Sequence, residues 1–321
     1  MDKKQSKILN SMTKNSSPQM PNKILLLCTG GTIAGMTKEK TTSSVYQAGE
    51  LSGASLLETL PIQDDHLQIQ EIAQIDSVDM NFSIWQKLYK AIHESADVKG
   101  IVITHGTDSM EESVFFFSVV LKPKVPIVFV GAMRPSNAIG SDGGKNLCNA
   151  LALANQAQAG VYMINNDYVF DHYVQKSHTH NLNAFSSFSP LGYILDGNYF
   201  PSFEPKERMH LPMPHTLPKV ECIYTYAGIE DFALSEGVKG VVLIGSGAGS
   251  IPNKLIKKLQ ELEKNGISLV VSTRVAYGRV IADRFIPSYS LTPPKARILL
   301  ALCLAHSKSK AEIKKFFEMW G

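Results

Sequence analysis

The sequence predicts an α/β protein: a larger N-terminal domain built on a doubly wound, mostly parallel sheet, followed by a smaller C-terminal α/β domain. Three observations lead there. Short apolar runs recur along the chain and are apolar throughout rather than alternating, as parallel strands buried on both faces are. Amphipathic stretches of helical period separate them, the βαβα grammar of a doubly wound fold. The grammar lapses once, between about Asp171 and Lys219, in a stretch dense in Pro, Ser, Phe and Tyr.

In chain order, residues 1–22 are rich in Lys, Ser and Asn and read as a disordered tail. The strands are "KILLLCT" from Lys23, "GIVITHG" from Gly100, "VPIVFVGA" from Val125, "GVYMIN" from Gly160, "VECIYTYAG" from Val220, "GVVLIGSG" from Gly240 and "ISLVVSTR" from Ile267. Residues 81–96 place Trp85, Leu88 and Ile92 on one helical face, with Asp79 or Asn81 as N-cap. The run from Phe115 reads as a buried helix face. Residues 253–265 repeat the amphipathic pattern through Leu255, Ile256, Leu259 and Leu262, and Gly266 supplies a stop. Residues 209–218, with prolines at 212, 214 and 218, read as an interdomain linker between domains at 23–208 and 219–321. The C-terminal "AEIKKFFEMW" reads as an amphipathic helix on the small domain.

Composition narrows the function classes. With 44% hydrophobic and 19% charged residues, the chain has the makeup of an ordinary globular protein. A net charge of +3, without clustered lysines interleaved with aromatics, argues against a nucleic-acid partner. No stretch approaches the roughly 20 apolar residues of a membrane span. Cys28, Cys148, Cys222 and Cys303 lack CxxC spacing and read as buried free thiols, which favours a reducing compartment. Residues 1–22 hold no apolar core of a signal peptide, so the expectation is a cytoplasmic protein, with periplasmic export as the alternative should the native start differ.

The chemistry gathers at two glycine-bearing turns. "LLLCTGGTIAG" (25–35) runs from a strand into Gly30-Gly31-Thr32. Gly30 and Gly35 have Walker A spacing, but Met36 and Thr37 follow where a phosphate loop needs Lys and Ser/Thr, and no GxGxxG fits. "GIVITHGTDSMEES" likewise runs from a strand into His105–Asp108. Ligands of open α/β sheets collect beyond the carboxyl ends of strands, so Thr32, Thr107 and Asp108 can converge on one crevice. A threonine hydroxyl attacks only when a neighbour takes its proton, and an Asp with a Lys is one arrangement that serves. The competing reading of each turn is Asx or Ser/Thr turn chemistry. His172, His178 and His180, the last two spaced to share a strand face, lack the Cys or paired carboxylates of a metal set. His105 reads as a core or turn histidine.

"CTGGTIAG" (28–35) and "THGTDSMEE" (104–112) resemble the two signatures of the bacterial L-asparaginase/glutaminase family, type II-like. The likeness extends through "VGAMRPSNAIGSDGGKNL" (130–147), "YVQKSHTHNLNAFSS" (173–187), "LPKVECIYTYAG" (217–228) and "LTPPKARILLALCLA" (291–305). The resemblance implies hydrolysis of L-asparagine to L-aspartate and ammonia through a β-aspartyl acyl-enzyme. It also implies minor glutaminase activity, no cofactor or metal, and a homotetramer of intimate dimers. By position, Thr32 is the nucleophile and Tyr46 the tyrosine of a mobile lid. Thr107, Asp108 and Lys176 form a second triad, and Asp108 also meets the substrate ammonium. Ser77 holds the α-carboxylate, and backbone near Gly31, Thr107 and Ala132 lines the substrate or supplies an oxyanion hole. Two departures stand out: Val78 replaces a common Gln, and Ala248 replaces the first Asn of "GNGN", with a short segment after Ala276. The first predicts weaker substrate binding, the second a changed intersubunit pocket. Rival readings are a glutaminase-asparaginase of broader specificity, an ammonia-donating amidotransferase component, and a silent amino-acid receptor.

Overall fold

The computed structural model describes residues 23–321 except 43, 59–65, 207 and 283, so the expected tail at 1–22 lies outside the described residues. The large sheet contains β1 (Lys23–Gly30), β2 (Leu67–Ile75), β3 (Val98–Thr104), β4 (Pro126–Val130), β5 (Gly160–Asn165) and β6 (Tyr168–Phe170). A two-stranded ribbon, β7 (Gln175–Lys176) with β8 (Phe185–Ser186), follows, and β9 (Gly192–Leu195) and β10 (Asn198–Pro201) return to the sheet. The strand order is β10-β9-β6-β5-β4-β3-β1-β2. β2, β1, β3, β4 and β5 are parallel, and β6, β9 and β10 extend the edge antiparallel. The order reverses between β1 and β3, and such a switch point opens a crevice at the carboxyl ends of those two strands.

Successive residues of β1 and β3 point to opposite faces, and both faces are covered. Leu25, Leu27, Ile101 and Ile103 pack on α2 (Phe82–Glu94) and α3 (Met110–Val120), through Trp85, Leu88 and Phe115–Phe117. Ile24, Leu26, Cys28 and Val102 pack on the opposite side, against Leu56 of α1 (Gly53–Glu58) and Leu147 and Leu151 of α4 (Gly143–Gln156). That two-sided burial is why these strands read as continuous apolar runs.

The smaller parallel sheet is β11 (Val220–Tyr224), β12 (Gly240–Gly245), β13 (Ser268–Thr273) and β14 (Ile286–Pro287). α5 (Asn253–Lys264) covers its outer face through Leu255 and Leu259. α6 (Pro293–Ala305) and α7 (Lys310–Trp320) join its inner face to the core of the large sheet as one continuous cluster.

Between the two sheets, Leu211 is buried and its N–H donates to Val119 O at 3.0 Å. Three details differ from the sequence reading. α7 does not sit on the small sheet alone. Trp320 lies edge-on to Phe115 and His172, with centroids 6.0 and 5.1 Å away, and its Nε1 donates to Met209 O. Cys28 and Cys303 are buried, whereas Cys148 and Cys222 are partly exposed, and all four thiols are free. His178 and His180 lie in a turn rather than on a strand: His178 Nδ1 accepts the backbone N–H groups of His180 and Asn181.

Candidate active site

β1 ends in Gly30 and Gly31, both with positive φ (98° and 80°), and Thr32 opens a short 3-10 turn. Gly31 is required by crowding as well as handedness, since a Cβ there would stand 2.4 Å from Gly106 Cα. Gly106 is crowded in turn, because its Cβ would fall 2.6 Å from Ser77 Oγ. The turns after β1, β2 and β3 therefore meet at van der Waals distance only because two of them carry no side chain at the contact.

Thr32 is 6% exposed, and its Oγ1 lies 2.6 Å from Tyr46 Oη, where either hydroxyl can donate. Tyr46 reaches it from a flap closed by the Met36–Gln47 bridge. The flap is anchored by Asn137, whose side-chain amide accepts the Thr37 N–H at 2.9 Å and donates to Thr37 O at 2.8 Å. Burial pushes the Tyr46 phenol above its ordinary range; the Thr32 hydrogen bond opposes that, and the Asp76 and Asp108 carboxylates add to it. The phenol is therefore protonated at neutral pH.

The turn after β3 brings Thr107 and Asp108 beneath Lys176 of β7. The Lys176 ammonium donates to Thr107 Oγ1 at 3.0 Å and to Asp108 Oδ1 at 2.5 Å. The Lys176 side chain is largely buried and that of Asp108 half exposed, so the carboxylate keeps an open side toward solvent. Ser77, in the 3-10 turn after β2, is buried; its Oγ accepts the Asp108 N–H at 3.1 Å, and its carbonyl accepts from Ser109 Oγ at 2.6 Å. These bonds hold the ends of β2 and β3 together. Val78 beside it is 67% exposed, an apolar side chain on a polar rim.

Ala132 is fully buried in the turn after β4, whose Gly131 abuts the Thr107 methyl group. That turn is shaped by Asp142, which sequence reasoning missed. Its buried carboxylate accepts the N–H groups of Met133 at 2.9 Å and Arg134 at 3.0 Å, and the Asn146 amide at 3.1 Å. The signal was an Asp just ahead of a helix, although its side chain serves the preceding turn instead of capping α4. His105 is a buried core histidine, with Nε2 against Ser113 Oγ and Nδ1 against Gly106 O. Burial drops it to about 4, which the Gly106 contact only partly offsets. Ala248 is exposed in the turn after β12 and contributes no side-chain polar group. Among the described residues, no group of three or more His, Cys, Asp or Glu is placed to hold a metal ion, and no helix is long and apolar enough to cross a membrane.

The site thus presents two threonine hydroxyls, one paired with a neutral phenol and one with an ammonium, together with a half-open carboxylate. Such a set can attack a carbonyl, move the proton released, and bind a cationic group beside the reacting centre.

The chain resembles known proteins over nearly its whole length. Residues 23–205 match the family described as asparaginase, N-terminal, and residues 219–317 the glutaminase/asparaginase C-terminal domain. L-asparaginase 2 of Bacillus subtilis (strain 168) is 34% identical, the alignment covering 98% of this chain and 91% of that protein. A glutaminase-asparaginase of Pseudomonas fluorescens biotype A is 32% identical over 92% of this chain and 89% of its own. Among solved structures, a probable cytoplasmic L-asparaginase from Campylobacter jejuni superposes with a TM-score of 0.86 at 37% identity, covering 92% of this chain and 99% of that one.

Proposed function

Because the chain belongs to the asparaginase family and is a hydrolase acting on amides, we propose that it cleaves the side-chain amide of L-asparagine with Thr32 as nucleophile. Thr32 Oγ1 bonds to the amide carbonyl carbon and passes its proton to the Tyr46 hydroxyl as that hydroxyl gives its own proton on toward the leaving nitrogen, so the phenol stays neutral, and the C–N bond then breaks to release ammonia. The remaining β-aspartyl ester is hydrolysed by water, which regenerates the threonine and yields L-aspartate. Thr107, with the Lys176 ammonium on its oxygen, positions the groups that handle water and leaving-group protons. Asp108 takes the substrate ammonium on its open side, and Ser77 the α-carboxylate. Backbone around Gly31, Thr107 and Ala132 holds the amide oxygen, a contribution of about 3–4 kcal/mol per donor. The observation that carries this reading is the 2.6 Å contact of Thr32 with a protonated phenol.

Minor glutaminase activity and a homotetramer complete the proposal. Tyr224, Tyr226, Val275 and Tyr277, exposed at the carboxyl ends of the small sheet, support association. Four free thiols support a cytoplasmic location. The test is ammonia release from L-asparagine, L-glutamine and D-asparagine by the wild type and Thr32→Ala. Turnover of L-asparagine by the wild type alone supports the mechanism, and full turnover by Thr32→Ala overturns it.

A further inference from the structure

α3 begins Met110-Glu111-Glu112, and α6 begins Pro293-Pro294-Lys295-Ala296-Arg297. Both stretches belong to segments that carry the family likeness, yet the reaction uses none of these charges. The structure pairs them across the junction of the two sheets: Lys295 Nζ lies 3.4 Å from Glu111 Oε2, and Arg297 Nη2 3.2 Å from Glu112 Oε2. The two pairs differ in kind. The Arg297 pair is partly solvated, whereas the Lys295 side chain is 2% exposed and that of Glu111 14%.

A buried ion pair is a poor way to join two domains, because desolvating the charges offsets most of their attraction and apolar residues of similar volume often serve as well. This pair has further contacts that an apolar pair could not make. Glu111 Oε1 accepts the Lys176 backbone N–H at 3.3 Å, and the Lys295 ammonium donates to the Val174 carbonyl. The residue between, Gln175, is buried and sends its amide to Ala276 O at 2.9 Å, also in the small domain. Val174, Gln175 and Lys176 are thus each held from outside their own ribbon, and the last of them carries the ammonium that meets Thr107 and Asp108.

We propose that Glu111 and Lys295 are positioning residues: their buried pair fixes the backbone of β7, and through it the place of the Lys176 ammonium, so that the small domain sets the geometry of the large domain's site. The inference rests on Lys176 acting in the amide hydrolysis proposed above. Misplacing a reacting group by about 1 Å can cost ~100-fold in rate. A group that acts only on placement lowers kcat while leaving substrate affinity nearly unchanged.

The test compares full-length Lys295→Met, the double variant Glu111→Leu/Lys295→Met, and the control Glu112→Leu/Arg297→Met by thermal unfolding and steady-state ammonia release. Lys295→Met strands a buried carboxylate, so both its Tm and its kcat fall. In the double variant Tm recovers toward wild type, because an apolar pair replaces the ionic one. Its kcat stays down by about 10- to 100-fold, with KM within about threefold, because the holds on Lys176 and Val174 are gone. The control, which touches neither residue, keeps its kcat. Recovery of kcat together with Tm in the double variant overturns the proposal, as does equal loss in the control, which would mark general domain docking. Wild type and Lys176→Met are run alongside: no ammonia release by the wild type, or full turnover by Lys176→Met, marks failure of the reading of the reaction itself, whereas recovered kcat in the double variant with Lys176→Met inactive marks failure of the positioning role alone.

Discussion

Replacing Tyr46 by Phe removes one oxygen, and the structure allows the cost to be worked out. That oxygen is 2.6 Å from Thr32 Oγ1, on a threonine that is nearly inaccessible to water. If the bond only holds the resting hydroxyl in place, losing it costs about 0.5–1.5 kcal/mol, or roughly a 2- to 13-fold fall in rate. If the phenol hydroxyl relays the threonine proton, taking it up as it passes its own to the leaving nitrogen, the loss is about 100-fold or more, the scale of general acid–base catalysis. The account requires the second value. Tyr46→Phe keeps the ring that lies against Gly35, and the phenol hydroxyl is bonded to Thr32 rather than to Ser77 or Asp108, so KM should change by less than about threefold. The assay is steady-state ammonia release with L-asparagine between pH 6 and 9. Burial raises the phenol above its ordinary value of 10, so the wild-type rate carries no Tyr46 ionisation in that range. A kcat within tenfold of wild type would refute the proton-transfer role.

Three further outcomes follow from the same geometry. Val78→Gln places a donor on the rim beside Ser77, and a hydrogen bond to a charged group is worth about 1.5–3 kcal/mol; KM for L-asparagine should fall about tenfold or more, and an unchanged or higher KM contradicts the reading. Gly31→Ala forces a Cβ toward Gly106 at a positive φ, whose handedness cost alone is about 1–2 kcal/mol; Tm and kcat should fall together, measured by calorimetry and ammonia release. His105, folded near 4 against 6.5 unfolded, makes the unfolded chain bind more protons below pH 6.5. Stability should therefore drop by as much as about 3 kcal/mol as pH falls from 6.5 to 4, and His105→Gln should flatten that slope in thermal melts.

Legibility in the sequence tracked burial. β1, β3, β4 and β5 were plain because covered faces on both sides demand apolar residues at every position. β2 was not, since it is the sheet's edge: its "LQIQEIAQI" is mostly solvent-facing, with no apolar run to announce it. The short β6 to β10 pairings were hidden for a related reason, each being too brief to show a period. At the site, glycines flagged the turns that approach one another, and the threonines beside them were visible at once. The sequence could not show what lies between elements distant along the chain. Asp142 serves a turn rather than its own helix, Asn137 clamps the flap, and Glu111 meets Lys295 from two helices whose local patterns say only that both are amphipathic or buried. Such contacts depend on how the two sheets dock, and no periodicity encodes that.

The central claim is that Thr32, and not Thr107, forms the bond to substrate. Rapid acid quench of the enzyme turning over L-asparagine, followed by peptide mass spectrometry, tests it directly. The account predicts a peptide containing Thr32 that is heavier by one dehydrated aspartate, formed transiently and absent in Thr32→Ala. The same adduct on the Thr107 peptide, with Thr32 unmodified, would contradict it.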